Sequence, residues 1–338
     1  MRSFNYERAS DTNAALRATA GQPACPATSA PAQFIAGGTT MLDLMKLDTM
    51  RPQTLVDIGD LRARHAYIRS DDRGLHLGAL TRMQAVADDP MVNRLYPVIA
   101  QTMQLAASPQ LRNMATLAGN VLQRSRCNYF RNGDWGGCNK RDPGSGCSAL
   151  DGLTRKHAVL GVSDDCISAY PGDFAQALVA LEAAVVILGA GGTRTLPFEA
   201  LHLGPEHPER ETALLPGELI TSFIVPAGPW TRRSTYVKVR DRESYEFGLA
   251  SAAVALQLDG SKVLTARIGL GGVAYRPWRA HAAEHSLTGQ HLNETTAQAA
   301  ARAAFAGAVT HGDNVFKPAL GRHTLVRALL QAQAMQLA

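Results

Sequence analysis

Residues 33–46 read Gln33-Phe-Ile-Ala-Gly-Gly-Thr-Thr-Met-Leu-Asp-Leu-Met-Lys46, a short apolar strand that breaks at two glycines and resumes with helical spacing of Met41, Leu42, Leu44 and Met45. Strand, Gly-Gly turn, helix is the layout of an anion cradle. Without Cβ atoms at Gly37 and Gly38, backbone N–H groups can come close to a phosphate, and a helix beginning near Thr39 adds its positive end and two hydroxyls. The same layout also makes a plain tight turn, so the stretch must be weighed with its neighbours.

Downstream, Ala107-Ser-Pro-Gln-Leu-Arg-Asn-Met-Ala-Thr-Leu-Ala-Gly-Asn-Val121 is a second polar, glycine-bearing element. Arg112, Asn113, Thr116, Gly119 and Asn120 place short donors and a close-approach glycine along what reads as irregular backbone. That composition suits a second wall around a nucleotide, or an exposed connecting loop. Between the two elements, residues 55–80 alternate short apolar runs with turn residues such as Asp71-Asp72-Arg73-Gly74 and predict a small group of strands. Helical spacing follows at 83–87 and 96–106, with Pro90 as punctuation. Upstream, the sequence predicts a strand at Ser3 to Tyr6 and a helix capped near Asp11. Residues 21–32, rich in Pro, Ser, Thr and Ala, read as an exposed loop in which Cys25 is incidental.

Four of the five cysteines, Cys127, Cys138, Cys147 and Cys166, lie in one stretch of Gly-, Arg- and Asn-rich sequence with the spacing C-x10-C-x8-C-x18-C. This matches neither a zinc ribbon of two C-x-x-C pairs nor the short ferredoxin run. Thiolate ligands narrow a bound centre to zinc or an iron–sulfur cluster; two disulfides or scattered core thiols are the other reading. Arg124, Arg126, Arg131, Lys140 and Arg141 lie close by, where they would lower thiol pKa values and offset a bound anion, or simply form a solvated surface. A loop this long needs something to order it.

Beyond it, Pro171 to Ala184 predicts a helix leading into a strand at Val185 to Leu188, and Leu219 to Val225 another strand. Pro226, Gly228 and Pro229 mark a domain boundary. Three strands follow, Ser234 to Val239, Leu249 to Leu258 and Val263 to Gly271, the last two joined at Asp259-Gly260. Helices are expected at 295–309 and 319–336. The chain of 338 residues fits two or three domains and can bury a large cofactor. Its net charge of +5 is dispersed, without runs of basic residues, which argues against nucleic acid as partner. No apolar stretch is long enough to span a membrane, and the opening Met1 to Asp11 lacks the apolar core of a secretion signal.

Together these segments resemble the FAD-binding subunit of the molybdenum hydroxylases, the xanthine dehydrogenase and aldehyde oxidoreductase family, over nearly the whole chain. The family's first flavin motif stands here as Phe34 to Lys46. Its second, A-S-x-x-[IL]-R-N-x-A-T-x-[GA]-G-N, stands as Ala107 to Asn120, with Ala118 in place of the commoner first glycine of G-G-N. The cysteine stretch interrupts the joint that normally follows, and the family's Asp reappears as Asp173. Flavin subunits with an added [4Fe-4S] cluster are similar, notably in bacterial periplasmic aldehyde oxidoreductases and, with other cysteine spacing, in 4-hydroxybenzoyl-CoA reductases. Arg126-Cys-Asn-Tyr-Phe130, Cys138-Asn-Lys-Arg141, Pro143-Gly-Ser-Gly-Cys147 and Tyr236-Val-Lys-Val-Arg-Asp-Arg242 look closest to the former.

The resemblance implies an α+β fold: an FAD-binding part of two α/β subdomains of the vanillyl-alcohol-oxidase (PCMH) type, at 1–55 and 56–228 with the cysteine insertion at 124–166. A C-terminal domain at 229–338 would carry a three-stranded antiparallel sheet packed with helices. It assigns the pyrophosphate to Gln33, Phe34, Ile35, Ala36, Gly37, Gly38, Thr39, Thr40 and Met41. Ser108, Thr116, Gly119 and Asn120 would form the other wall, with Asp173 and Lys238 near the ribityl chain or flavin ring. Cys127, Cys138, Cys147 and Cys166 would ligate [4Fe-4S]. The implied role is electron transfer with no catalytic side chain, beside a molybdenum-cofactor large subunit and a [2Fe-2S] small subunit, towards an external acceptor. The compartment would be the cytoplasm, or the periplasm by export with a twin-arginine-tagged partner. A 4-hydroxybenzoyl-CoA-reductase-like subunit and a zinc-stabilised binding protein are the alternatives.

Overall fold

The computed structural model describes residues 1–22 and 25–337. Pro23 and Ala24, within the expected 21–32 loop, and Ala338, at the end of the expected C-terminal domain, lie outside the described residues. Three sheets organise the chain. The first holds β1 (Asn5–Arg8), β2 (Ala32–Ile35) and β3 (Thr54–Asp57), parallel in the order β1-β3-β2. Parallel neighbours need crossovers, and the helices Thr12–Ala18 and Met41–Lys46 supply them. Asp11 starts the former by accepting from the Ala14 N–H at 2.8 Å.

The second sheet comprises β4 (Ile68–Asp71), β5 (Gly74–Gly78), β6 (Ala184–Gly189), β7 (Gly192–Pro197) and β8 (Leu219–Pro226), antiparallel in the order β4-β5-β8-β6-β7. Its inward side chains, Leu75, Leu77, Val185, Ile187, Phe223 and Val225, bury against the helices Met83–Asp88, Pro97–Gln104 and Phe174–Ala180. Leu77 and Val185 lie on different sides of a long excursion from the sheet, and that excursion holds both the second glycine element and the cysteines.

Two expectations change here. Pro90 begins a helix, Pro90–Leu95, because Asp89 caps it by accepting from the Val92 N–H at 2.9 Å and proline's missing N–H is no loss in a first turn. The second glycine element is helical where irregular backbone is expected: Ser108 caps Pro109–Met114 and Thr116 caps Leu117–Val121.

The third sheet runs β12-β11-β10-β9, antiparallel: β9 (Ser234–Val239), β10 (Ala250–Asp259), β11 (Lys262–Gly271) and β12 (Trp278–Arg279). Gly260, at φ +55, turns the expected hairpin. The fourth strand, only two residues long, escapes a sequence reading that needs a run of alternation. Helices His281–Leu287, Glu294–Ala304 and Lys317–Ala334 cover one face through Ala297, Ala301, Leu325 and Leu329. The other side rests on helix Phe174–Ala180, where a Cβ on Gly269 would strike the Gln176 carbonyl. Among the described residues no helix is long and apolar enough to cross a membrane.

Candidate functional site

A cavity of about 710 Å³ opens between the first and second sheets, within the range that holds a cofactor. Gln33 to Met41 line it without a gap, and Thr116 and Gly119 face it from the second glycine element. The first glycine turn is a close-approach point: a Cβ on Gly37 would collide with the Met114 carbonyl oxygen. Gly38 has φ +73, a conformation that favours glycine. Thr40 occupies the cap position of helix Met41–Lys46 without using its side chain as a cap. Its hydroxyl thus remains available beside the helix's positive end.

Four expected residues lie off the cavity wall. Ser108 is spent on its helix cap, accepting from the Leu111 N–H at 3.3 Å. Asn120 keeps its Oδ1 buried without a partner. Asp173 stands at the cap position of helix Phe174–Ala180 but does not cap it. Instead it pairs with Lys238, whose Nζ lies 2.8 Å from its Oδ2, both side chains at least nine-tenths buried. The Tyr236 hydroxyl donates to the other carboxylate oxygen at 2.6 Å, and burial, reinforced by Asp173, holds that phenol well above its ordinary pKa. The Lys238 ammonium also donates to the Leu105 carbonyl at 3.1 Å. The pair therefore joins β9 to the helix behind the second glycine element.

The rest of the cavity wall comes from residues the sequence reading did not single out for it. Arg124 and Lys140, both buried, clasp Glu211: Lys140 Nζ lies 2.8 Å from Oε1, and Arg124 Nε pairs with Oε2. Burial alone would raise the Glu211 carboxyl, but the two cations outweigh it and hold it down to about 2. Lys140 also donates to the Tyr275 hydroxyl at 2.9 Å. Ser125, Ser168, Tyr170 and His202 complete this side. His202 is buried and pushed down to about 4, chiefly by burial, and its Nε2 lies 3.2 Å from the Val121 carbonyl. Nothing in local periodicity marks these positions; only the nearness of Arg124 and Lys140 to the cysteines hinted at a role.

Cys127, Cys138, Cys147 and Cys166 are all free thiols, which sets aside the two-disulfide reading. Cys138 and Cys147 face each other across an antiparallel bridge. Cys127 feels the negative charge that Cys138 and Cys166 would carry, and Cys147 that of Cys166 and Cys138. Burial pushes the Cys127 thiol up to about 12 and also raises Cys138 and Cys147. The expected lowering by nearby basic residues is thus overturned: desolvation of a thiolate outweighs them. Arg126 and Arg131 are occupied by Asp43, at 3.1 and 2.9 Å, in the first turn of the helix that follows the glycine cradle. Arg141 donates to the Gly136 carbonyl at 2.8 Å and to Tyr129's carbonyl, stitching the loop internally. Among the described residues no three His, Cys, Asp or Glu side chains form a group that could hold a single metal ion.

The loop is also tied to the third sheet and its helices. Val159 N–H donates to the Val273 carbonyl at 2.8 Å, the Thr154 hydroxyl to the His311 carbonyl at 2.5 Å, and Asn314 Nδ2 to the Ala158 carbonyl at 3.1 Å. Close to these ties, His157 sits with Nε2 3.1 Å from Cys127 Sγ. Burial, with Lys317 adding to it, pushes this imidazole down to about 4, so it is neutral at physiological pH.

Sequence comparison places this architecture. The FAD-binding domain in molybdopterin dehydrogenase matches residues 2–228, and the CO dehydrogenase flavoprotein C-terminal domain matches residues 235–333. The chain belongs to the molybdopterin dehydrogenase FAD-binding family. It is 43% identical to the aldehyde oxidoreductase FAD-binding subunit PaoB of Escherichia coli (strain K12), over 99% of each chain. It is 29% identical to the carbon monoxide dehydrogenase medium chain of Afipia carboxidovorans, over 86% of this chain and 82% of that one. Among solved structures, carbon monoxide dehydrogenase from Hydrogenophaga pseudoflava superposes with a TM-score of 0.75 at 26% identity, covering 98% of both chains. The α+β fold expected from the sequence is therefore that of a flavin-binding oxidoreductase subunit. The cavity suits the family's cofactor: Gly37 lets the two glycine elements close on each other at its wall, and Arg124 keeps Nη2 buried without a partner in a chain segment that lines it.

Proposed function

We propose that this chain is the electron-transfer subunit of a molybdenum-cofactor aldehyde oxidoreductase and carries FAD and one [4Fe-4S] cluster. The observation that carries this reading is that the cysteine insertion forms part of the cavity wall. Arg124 and Ser125 precede Cys127, Lys140 lies between Cys138 and Cys147, and Ser168 follows Cys166; all four line the cavity. The Cys166 thiol lies 3.3 Å from the Ser168 hydroxyl.

Gln33 to Met41, with Thr116 and Gly119, hold the pyrophosphate, while Ser108 and Asn120, which lie off the cavity wall, support the second glycine element from behind it. The Asp173–Lys238 pair stands towards the ribityl chain and flavin ring. When bound, FAD supplies a centre that takes electrons singly and releases them in pairs. The chain's own residues bind it, fix its orientation and bury the charges around it. Cys127, Cys138, Cys147 and Cys166 would hold the cluster through their thiolates, and the cluster would supply a one-electron relay beside the flavin. Burial raises the thiol pKa values of Cys127, Cys138 and Cys147, so ligation there must displace protons.

Residues 1–228 form the FAD-binding domain, with subdomains at 1–55 and 56–228, and 229–338 the C-terminal domain. The partners are a molybdenum-cofactor large subunit and a [2Fe-2S] small subunit, with an external acceptor receiving the electrons. The complex works in the cytoplasm, or in the periplasm after export with a tagged partner. The identity to the E. coli aldehyde oxidoreductase subunit favours an aldehyde substrate over a 4-hydroxybenzoyl-CoA-type reduction. Anaerobic addition of an aldehyde to the purified complex should bleach its flavin absorbance. A complex that assembles with FAD but stays oxidised with every aldehyde offered contradicts the assignment.

A further inference from the structure

We propose that His157 donates a hydrogen bond to the sulfur of Cys127 when that sulfur is a cluster thiolate, and thereby favours the reduced cluster. This rests on the [4Fe-4S] reading above. The imidazole is buried, and its Nε2 lies 3.1 Å from Cys127 Sγ. Its Nδ1 is buried without a partner, so the sulfur is the polar contact the ring makes through its nitrogens. The ring also has little freedom to turn away. The His157 N–H donates to the Thr154 carbonyl at 2.8 Å, and Thr154 and Ala158 on either side are fastened to His311 and Asn314. Tyr129 packs beside it, ring centroids 6.4 Å apart.

In the metal-free chain either partner can carry the shared proton, because Cys127 is a thiol. A thiolate on iron has no proton and can only accept, so a ring held at this distance must place an N–H on Nε2. A donor aimed at a ligand sulfur stabilises the extra electron density of the reduced state more than the oxidised one. His157 is thus a positioning and tuning residue, supplied to the cluster from the segment that ties the cysteine loop to the C-terminal helices.

The test is a redox titration of the purified complex, following the low-temperature electron paramagnetic resonance signal of the reduced four-iron cluster. His157→Leu should shift the reduction equilibrium about tenfold towards the oxidised state, about 59 mV for one electron. His157→Gln, which keeps an N–H, should fall between. Full iron and an unchanged potential in both variants would overturn the proposal. If both variants lose iron, 15N-histidine labelling of the unaltered protein decides: an imidazole nitrogen coupled to the reduced cluster supports the bond, and no coupling refutes it. An unaltered protein without iron would overturn the cluster reading itself, and this role with it.

Discussion

Replacing Glu211 by Gln removes one negative charge from between two buried cations. Lys140 is 3% exposed and Arg124 7%, and each has its carboxylate partner in Glu211. Breaking a buried ion pair by deleting one member costs about 3–5 kcal/mol, because the remaining charge stays desolvated. The amide still accepts one hydrogen bond, which argues for the lower end. The displacement of the carboxyl from 4.5 to about 2 gives a similar figure, roughly 3 kcal/mol at 1.36 kcal/mol per pKa unit. Calorimetry of the purified complex should show this chain's transition falling by about 4 °C at neutral pH, from an unfolding entropy of about 2.1 cal/mol/K per residue. The pH dependence has a fixed sign. The folded pKa lies below the unfolded one, so the stabilisation is complete above about 4.5 and is lost as pH falls towards about 2. The gap between unaltered and Gln proteins should therefore close over that window. An unchanged transition at neutral pH, or a gap that does not narrow in acid, would show that Glu211 does not carry this charge balance.

Lys238→Met should cost about 3–5 kcal/mol by stranding the buried Asp173 carboxylate, read as a lower urea midpoint with an unchanged slope. Gly37→Ala should empty the cavity of flavin while leaving far-ultraviolet circular dichroism intact, since its Cβ meets the Met114 carbonyl at the cradle and not in the core. His202 is neutral when buried and titrates near 6.5 when unfolded. Its folded pKa is lowered, so stability is full above about 6.5 and declines as pH drops towards about 4, by roughly 3 kcal/mol. His202→Phe should flatten this part of the pH–melting curve.

The parts of the fold legible in the sequence are those carried by local chemistry. Asp11 and its helix, the strand, turn and helix of residues 32–46, and the hairpin at Gly260 each need only neighbours in sequence. Pro90 misleads because the same residue that breaks a helix interior is at home in a first turn, and the Asp89 cap decides between them. Strand β7, Gly192–Pro197, and the helix His281–Leu287 escape notice because their polar faces weaken the alternation or periodicity. The site divides in the same way. Gln33 to Met41 could be found from Gly37 and Gly38, whereas Glu211 becomes part of the wall only when folding brings it to Arg124 and Lys140, far away in the chain. The arginines near the cysteines were visible, but their partners were not: Asp43 claims two of them from the opposite glycine element.

The proposed function requires one flavin site walled by a cysteine-ligated cluster. Its most direct test is the flavin, iron and acid-labile sulfide content of the anaerobically purified protein, measured beside Cys138→Ser. One FAD and about four irons per chain are expected, with iron lost and flavin largely kept in the variant. Zinc in place of iron, or iron unaffected by the substitution, would contradict it.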